Sequence, residues 1–301
     1  MIIGKEQVES LGSCMKVCII VTVYNPDIPS LNANLLSYAN QAASLVVCDN
    51  SDNEAFRRRV IAVLEDFSNA IYLSMDGNIG IAAAQNRGIG HGIALGYEYF
   101  IEIDQDSKLP SNFVEEISSS YLRLVEEGHA VAGIGPVAVR DDGFVYDGQE
   151  TNGRIVSVDK TLSSGFFFTK SAFERVGPKD ESLFIDYVDW EWCWRASQYG
   201  LTTYVDRAIS IGHMLGDGHR RIFGFNVGLP APIRHYYQYR NGLRLLRRRY
   251  VPLPWRLKRA LIMAFKLPVY AYLVGDGASR RKYMFKGVID AVLCRTGKIT
   301  L

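Results

Sequence analysis

The sequence predicts an α/β protein, a mostly parallel sheet flanked by helices, with a basic helical extension at its C-terminal end. Three observations carry that prediction. Short apolar runs alternate with helix-like segments from Val17 to Gly96, and short connections of this kind imply right-handed βαβ crossovers. Polar residues recur where the runs end, at the sheet edge where open α/β folds bind ligands. Charge is split along the chain: residues 234–301 hold 16 Lys and Arg against Asp276 and Asp290, which leaves 18 basic and 30 acidic residues in 1–233.

The first run, Val17 to Val23, is continuous and β-branched, as in a strand buried on both faces. A loop, "YNPDIPSL", follows, and Leu31 to Gln41 has helical spacing. Leu45 to Cys48 is the second strand, and Glu54 to Phe67 an amphipathic helix. Ile71 to Leu73 is the third strand, ahead of "SMDGNIG" and a helical Ile81–Gly96 whose glycines weaken the pattern. Tyr99 to Ile103 is the fourth strand. Beyond Leu109 the spacing predicts a helix over 112–127, a strand over 131–139, a loop over 140–154 and a strand over 162–169. A capping box at Ser171–Glu174 opens a short helix that stops near Gly177-Pro178. A helix over 186–199 with Gly200 as its stop and a short strand over 202–205 complete the body.

With 301 residues, 48% hydrophobic and 22% charged, the chain has the composition of an ordinary globular protein with ample core. The division expected is a body over 1–233, with halves at about 16–110 and 111–233, and the basic region over 234–301. Five scattered cysteines without a CxxC pair fit a reducing compartment and argue against a zinc site or disulfide framework. Met1 to Lys16 lacks the apolar core of a signal peptide, so a cytoplasmic location is expected.

Asn25, Asp49, Asp76-Gly77-Asn78 and Asp104-Gln105-Asp106 each follow a predicted strand. After one strand such a residue is ordinary turn chemistry; after four in a row the placement points to a shared polar crevice. Two carboxylates at the end of a hydrophobic strand suit a hard cation such as Mg²⁺ or Mn²⁺, which bridges to phosphate oxygens.

These segments together resemble the inverting family 2 glycosyltransferases of the GT-A fold, and most closely the bacterial rhamnosyltransferases. "VCIIVTVYNP" resembles the family's first strand and nucleotide loop, "VVCDNSD" its second strand, and "DGNIGIAAAQNRGI" its N-x-G segment. "IEIDQD" is similar to its metal-binding DxD, the stretch from Ser163 to Ala196 resembles its acceptor side, and "YYQYRN" matches a late Y-x-x-R-N element. The resemblance spans about residues 16–245. It implies transfer of a sugar with inversion, most specifically L-rhamnose from dTDP-rhamnose, to a cell-surface polysaccharide or lipid-linked glycan. UDP-galactofuranose and UDP-GlcNAc are the alternative donors, and a sugar-phosphate nucleotidylyltransferase is a more distant one, disfavoured because no Gly-rich basic loop follows the first strand.

The resemblance also implies roles. Asp104, Asp106 and His213 are the expected metal ligands, with Asp104 alternatively on the ribose. Asn25, Asp49, Asn78, Gly80, Asn86, Arg87, Asp104 and Arg240 are expected on the donor, Asp49 by accepting from the pyrimidine N3–H. Asp189 is the expected base, with Glu191 second. The family more often has a Glu-Asp pair where this chain has Val188-Asp189, which leaves the partner acid open to Asp186. Asp186, Trp190 and Trp194 are expected on the acceptor side. A base beside Trp190 is expected to have a raised pKa. The glycine-rich stretch 212–228, with Arg220 and Arg221, is expected to form a mobile lid.

In the basic region, Leu257, Leu261, Ile262, Phe265 and Leu267 interleave with Arg256, Lys258, Arg259 and Lys266. That pattern fits a helix in an anionic membrane interface, on the inner face of the cell membrane. The competing expectation is a helical hairpin packed on the body or against a second copy. No nucleic-acid-binding module is present.

Overall fold

The computed structural model describes residues 15–139, 153–213, 219–222, 225–228 and 230–300, with the backbone alone at 213, 219–222 and 225–228. Its centre is a sheet in the order β3-β2-β1-β4-β8-β6-β9-β5, with β7 beside β9. The first half is parallel: β1 (Val17–Val23) lies between β2 (Ser44–Asp49) and β4 (Tyr99–Asp104), and β2 pairs β3 (Ala70–Ser74). The second half is mixed. Strand β8 (Phe166–Thr169) runs antiparallel to both β4 and β6 (Val131–Val139), and β6 pairs β9 (Thr202–His213) in parallel. Strands β5 (Ser107–Lys108) and β7 (Ile155–Val158) add antiparallel pairings to β9.

Period-two alternation divides β1 between two cores. Val17, Ile19, Val21 and Val23 join the cluster under α1 (Ile28–Tyr38), α2 (Glu54–Leu64) and α4 (Phe113–Glu126). Cys18 and Ile20 join the cluster under α3 (Ile81–Ala94), α5 (Lys170–Val176) and α6 (Val188–Gln198). A strand covered on both faces has no polar side to offer, hence its unbroken apolar reading. Two glycines of α3 serve close packing: a Cβ on Gly88 would lie 2.5 Å from Cys48 Sγ, and one on Gly92 would lie 2.7 Å from Phe100.

Several boundaries differ from the sequence expectation. Helix α1 begins three residues before Leu31, because Asp27 caps it by accepting from the Ser30 N–H and Pro29 fits its first turn. The strand expected over 162–169 is confined to Phe166–Thr169. Strand β9 runs on to His213 rather than stopping at 205, and β7 arises between the expected loop over 140–154 and the expected strand over 162–169, where no element was expected. Of the stretch 212–228 expected as a lid, residues 214–218, 223 and 224 lie outside the described residues, while β10 (His219–Ile222) and β11 (Phe225–Gly228) form an antiparallel pair.

The basic region folds as α7 (Pro232–Leu246), α8 (Leu253–Pro268), a π-helical turn (Val269–Leu273) and α9 (Gly277–Val292). Tyr239, Met263, Val269, Tyr270 and Met284 form its own small core. Among the described residues no helix is long and apolar enough to cross a membrane.

Candidate active site

Four strand ends converge. Thr22 of β1 pairs Asp104 of β4, and Val23 pairs Asp49 of β2. Gln105, between the two aspartates, locks the loops together. The Tyr24 N–H donates to its Oε1 at 2.7 Å, its Nε2 donates to the Tyr24 carbonyl, and its own carbonyl accepts from Asn34. With Gln105 committed to the scaffold, Asp104 is left partly exposed and Asp106 exposed at the open end of β4. The backbone of His213 pairs that of Ser107, one residue beyond Asp106. The described residues include no cluster of three or more His, Cys, Asp or Glu side chains. Two carboxylates nonetheless fit Mg²⁺ or Mn²⁺, because such ions take one or two protein carboxylates and complete their shell with substrate phosphate and water.

Asn25 sits at positive φ, and its N–H donates to Ser51 Oγ at 2.9 Å. Its side-chain Oδ1 is buried without a hydrogen-bond partner among the described residues, an acceptor awaiting a donor. Asp49 is placed differently from the expectation. It is fully buried, and its carboxylate already accepts from the Ser51 N–H (2.9 Å) and the Tyr72 hydroxyl (3.1 Å). It shapes the loop beneath the crevice rather than facing it. Asn78 Oδ1 accepts from Asn50 Nδ2 and the Gly80 N–H, while the Asn78 N–H donates to Asp52. Arg87 is exposed on α3.

Opposite this crevice stands the segment leading into α6. Phe184, Asp186 and Tyr187 all adopt positive φ, between 66° and 70°. Such backbone costs on the order of 1–3 kcal/mol per residue and persists only where the surroundings impose it. The surroundings here are explicit. On one side Asn241 Nδ2 donates to the carbonyls of Leu183 (2.9 Å), Ile185 (2.7 Å) and Asp186 (3.2 Å). Arg240 NH2 donates to the carbonyls of Ser182 and Leu183. On the other side the Ile81 N–H donates to the Phe184 carbonyl at 2.8 Å, and Gly80 lies flat against Phe184. Asn86 exchanges hydrogen bonds with the Lys179 backbone and donates to Glu181.

Two expected donor contacts are therefore corrected. Arg240 is fully buried, and its guanidinium is spent on protein carbonyls and the Tyr236 hydroxyl. Asn86 is spent on the 179–181 loop. Both hold the segment 179–186 ahead of α6 in place, as does Asn241.

That segment delivers Asp189 to the crevice. Because Asp186 and Tyr187 are left-handed, α6 starts at Val188 and not at 186, so Asp186 and Asp189 do not share a helical face. Asp186 instead pairs Arg234 at 2.5 Å. The Asp189 Oδ1 accepts from the Trp190 N–H, and its carboxyl pKa is pushed up from 3.8 to about 6. Desolvation is the main cause, the Lys179 ammonium opposes it, and the negative charge of Asp104 adds to it. Asp104 and Asp189, from strand end and helix start, thus sense one another across the site.

Glu191 is a correction. It is 1% exposed and accepts from Arg195 Nε (2.9 Å), Arg195 NH2 and the Tyr250 hydroxyl (2.6 Å), with Arg248 NH1 at 3.2 Å. It ties α6 to the chain after α7. Trp194 is a correction as well: at 2% exposure it has no face for a sugar and packs on Trp255 with centroids 4.7 Å apart. Trp190 is half-buried, edge-on to Trp194, with the Lys160 ammonium 4.8 Å from its ring centroid.

A buried ion pair was missed by the sequence reading. Lys179 Nζ lies 2.7 Å from Glu102 Oε2, both side chains nearly without exposure, and Glu102 Oε1 has no hydrogen-bond partner among the described residues. Burial pushes the Glu102 carboxyl up and Lys179 pulls it down, with Asp104 and Asp189 close enough to add to the rise. The available signal was Glu102 itself, a charge inside the apolar run "YFIEID".

No protein-family profile matches the chain. Over 284 residues it is 32% identical to the dTDP-rhamnosyl transferase RfbF of Shigella flexneri, covering 90% of this chain and 92% of that protein. Its fold is similar to that of GalNAc-T7, solved with UDP, GalNAc and Mn²⁺, at TM-score 0.58 and 14% identity; the match covers 91% of this chain and 55% of the other. It is also similar to residues 1–349 of S. aureus TarS in complex with UDP-GlcNAc, at TM-score 0.57 and 13% identity, covering 92% and 82%. The chain thus spans little more than half of the GalNAc-T7 chain and nearly all of RfbF.

Proposed function

The chain belongs to the glycosyltransferase family of dTDP-rhamnosyl transferase RfbF and has the GT-A fold, and on that premise we propose that it moves L-rhamnose from dTDP-rhamnose, with inversion, to a cell-surface polysaccharide or its lipid-linked precursor. The observation that carries the mechanism is Asp189, a carboxyl with its pKa raised to about 6 by burial, and further by the charge of Asp104 at the end of β4. A general base works best when its pKa lies near the working pH.

In this reading the Asp189 carboxylate takes the proton of the acceptor hydroxyl as that oxygen attacks the anomeric carbon. The bond to the diphosphate oxygen breaks on the opposite face, and its electron pair leaves with dTDP. Asp106 and Asp104, with His213 as a third ligand, would hold Mg²⁺ or Mn²⁺, whose chemistry there is to neutralise the charge growing on the leaving diphosphate. The unpartnered Asn25 Oδ1 is the acceptor best suited to a donor group of the nucleotide. Asn78 and Gly80 order the turn that opens α3 beside it. The half-buried Trp190 ring offers the acceptor sugar an apolar face. The enzyme acts at the inner face of the cell membrane.

Calorimetric titration of dTDP and UDP with and without Mn²⁺, followed by a transfer screen over dTDP-rhamnose, UDP-galactofuranose and UDP-GlcNAc, tests this reading. The expected result is Mn²⁺-dependent dTDP binding and turnover of dTDP-rhamnose alone. Metal-independent binding, or preference for a UDP-sugar, overturns the metal or the donor assignment.

A further inference from the structure

Helix α8 is amphipathic the wrong way round. Its exposed positions are Leu253, Pro254, Leu257, Lys258, Ala260, Leu261, Ala264, Phe265 and Pro268, apolar but for one lysine. Its charged residues point the other way. Arg256 is half-buried and donates to the Leu246 carbonyl, Arg259 lies 5.0 Å from the Tyr187 ring centroid, and Lys266 is held below its usual pKa by burial. Leu261 is 72% exposed and Phe265 70%, and the stripe continues through Tyr272 at 73% on the π turn. From Leu253 to Phe265 the row is about 18 Å long at 1.5 Å per residue. A helix turned towards water would reverse this arrangement, so the face is built to be covered.

We propose that α8 lies in the interface of an anionic membrane, with Leu253, Leu257, Leu261 and Phe265 inserted among the acyl chains. The charge around it selects that occupant. Lys258 sits on the stripe, Arg249 is exposed just before the helix, and Arg281 stacks 5.2 Å from the Tyr272 ring centroid beside exposed Lys282. Of the acids in 234–301, Asp290 is buried between Lys286 and Arg295, which leaves Asp276 as the exposed one. A second copy would bring two such cationic faces together, whereas anionic headgroups neutralise them. The inner side of α8 is also joined to the base helix, since Trp255 packs against Tyr187, Trp190 and Trp194. Resting on the proposed transferase reading, this places Asp189 behind the docking helix, where an acceptor sugar on a lipid carrier would stand.

The test is flotation of the full chain with vesicles of phosphatidylcholine, or of phosphatidylcholine mixed with phosphatidylglycerol, comparing wild type with Leu261→Glu/Phe265→Glu. Both residues are exposed, so the double variant keeps its fold, checked by circular dichroism and by dTDP binding. The expected result is salt-sensitive flotation with the mixed vesicles only, weakened roughly a hundredfold in the variant. No flotation of the wild type, or equal flotation of the variant, overturns the proposal. A wild-type dimer that the variant dissolves, in sedimentation velocity without vesicles, overturns it in favour of a second copy. Loss of dTDP binding in both proteins with flotation intact would sink the donor reading and leave the docking surface standing.

Discussion

Asn241 donates through one side-chain nitrogen to the carbonyl of Ile185 at 2.7 Å, and so a residue of α7 holds the backbone bend that aims Asp189. The same amide reaches Leu183 and Asp186. Replacing Asn241 by Ala strands the Ile185 and Asp186 carbonyls, while Leu183 keeps Arg240, at about 1–3 kcal/mol, and frees the left-handed backbone at Asp186 and Tyr187 to relax. The expected outcome is a fall in kcat of about tenfold or more with dTDP affinity unchanged. A variant that loses nucleotide binding and kcat together would place Asn241 on the donor instead.

Gly80 braces the same bend from α3. It has φ +92°, and a Cβ there would meet the Phe184 ring at 2.6 Å and the Phe184 carbonyl at 2.7 Å. Gly80→Ala therefore faces both backbone strain and overlap, at about 2 kcal/mol or more. The predicted readout is a lower melting temperature together with reduced kcat, since the side that must yield is the Phe184 segment leading to Asp189. Gly96, also at positive φ but with nothing within 4 Å of where a Cβ would stand, serves as the control; Gly96→Ala is expected to cost stability alone.

Glu191 separates a structural carboxylate from a catalytic one. Its oxygens hold Arg195, Arg248 and Tyr250 in a buried network. Removing one member of such a network costs about 3–5 kcal/mol. Glu191→Gln should melt earlier in thermal unfolding, yet turn over normally per folded molecule at low temperature. A folded variant with kcat cut by about a thousandfold would restore Glu191 as base.

Much of this was readable from spacing. The four parallel strands and their polar ends rest on local patterns, β-branched runs and short loops, which a sequence displays directly, whereas Asp189 was singled out only by the motif resemblance. The division of labour among polar residues was not readable, because it depends on contacts far apart in the chain. Arg240 and Asn241 act on carbonyls 55–58 residues away, and Asn86 acts on a loop more than 90 residues on. Asp49 looks like Asp104 in sequence, and only the Tyr72 hydroxyl and the Ser51 N–H show that it is occupied. The start of α6 was misjudged for a related reason: helical periodicity runs on through Asp186 and Tyr187, and only the distant clamp reveals that both are left-handed.

The raised pKa of Asp189 sets a pH profile. A base must be deprotonated to act, so kcat/KM should rise about tenfold per pH unit below the pKa and level off above about pH 6. The same shift costs stability. The folded carboxyl holds its proton more tightly than the unfolded one, so the cost is absent below pH 3.8 and complete above about 6. Asp189→Asn is expected to lower kcat by about 10²–10⁴-fold while raising stability near neutral pH by about 1–3 kcal/mol. Thermal melts of both proteins at pH 7.5 as against pH 4 measure the second effect; a variant no more stable than wild type at the higher pH would show that Asp189 is not desolvated.

His235 predicts the opposite dependence in the C-terminal region. It is buried, tilted against the Tyr270 ring with centroids 4.4 Å apart, and its Nε2 lies 2.7 Å from an Arg280 guanidinium N–H, which can only donate. The ring is therefore neutral with its proton on Nδ1. Burial, then the Arg280 and Lys266 charges, push its pKa from 6.5 down to about 4. The unfolded imidazole takes up a proton below 6.5 and the folded one does not. Stability from this group is thus complete above pH 6.5 and falls as pH drops towards 4, by roughly 3 kcal/mol in all. Chemical denaturation at pH 7 and pH 5 should show a loss in the wild type that shrinks in His235→Gln, since the amide can accept from Arg280 without titrating. An equal loss in both proteins would assign the acid sensitivity to carboxylates elsewhere.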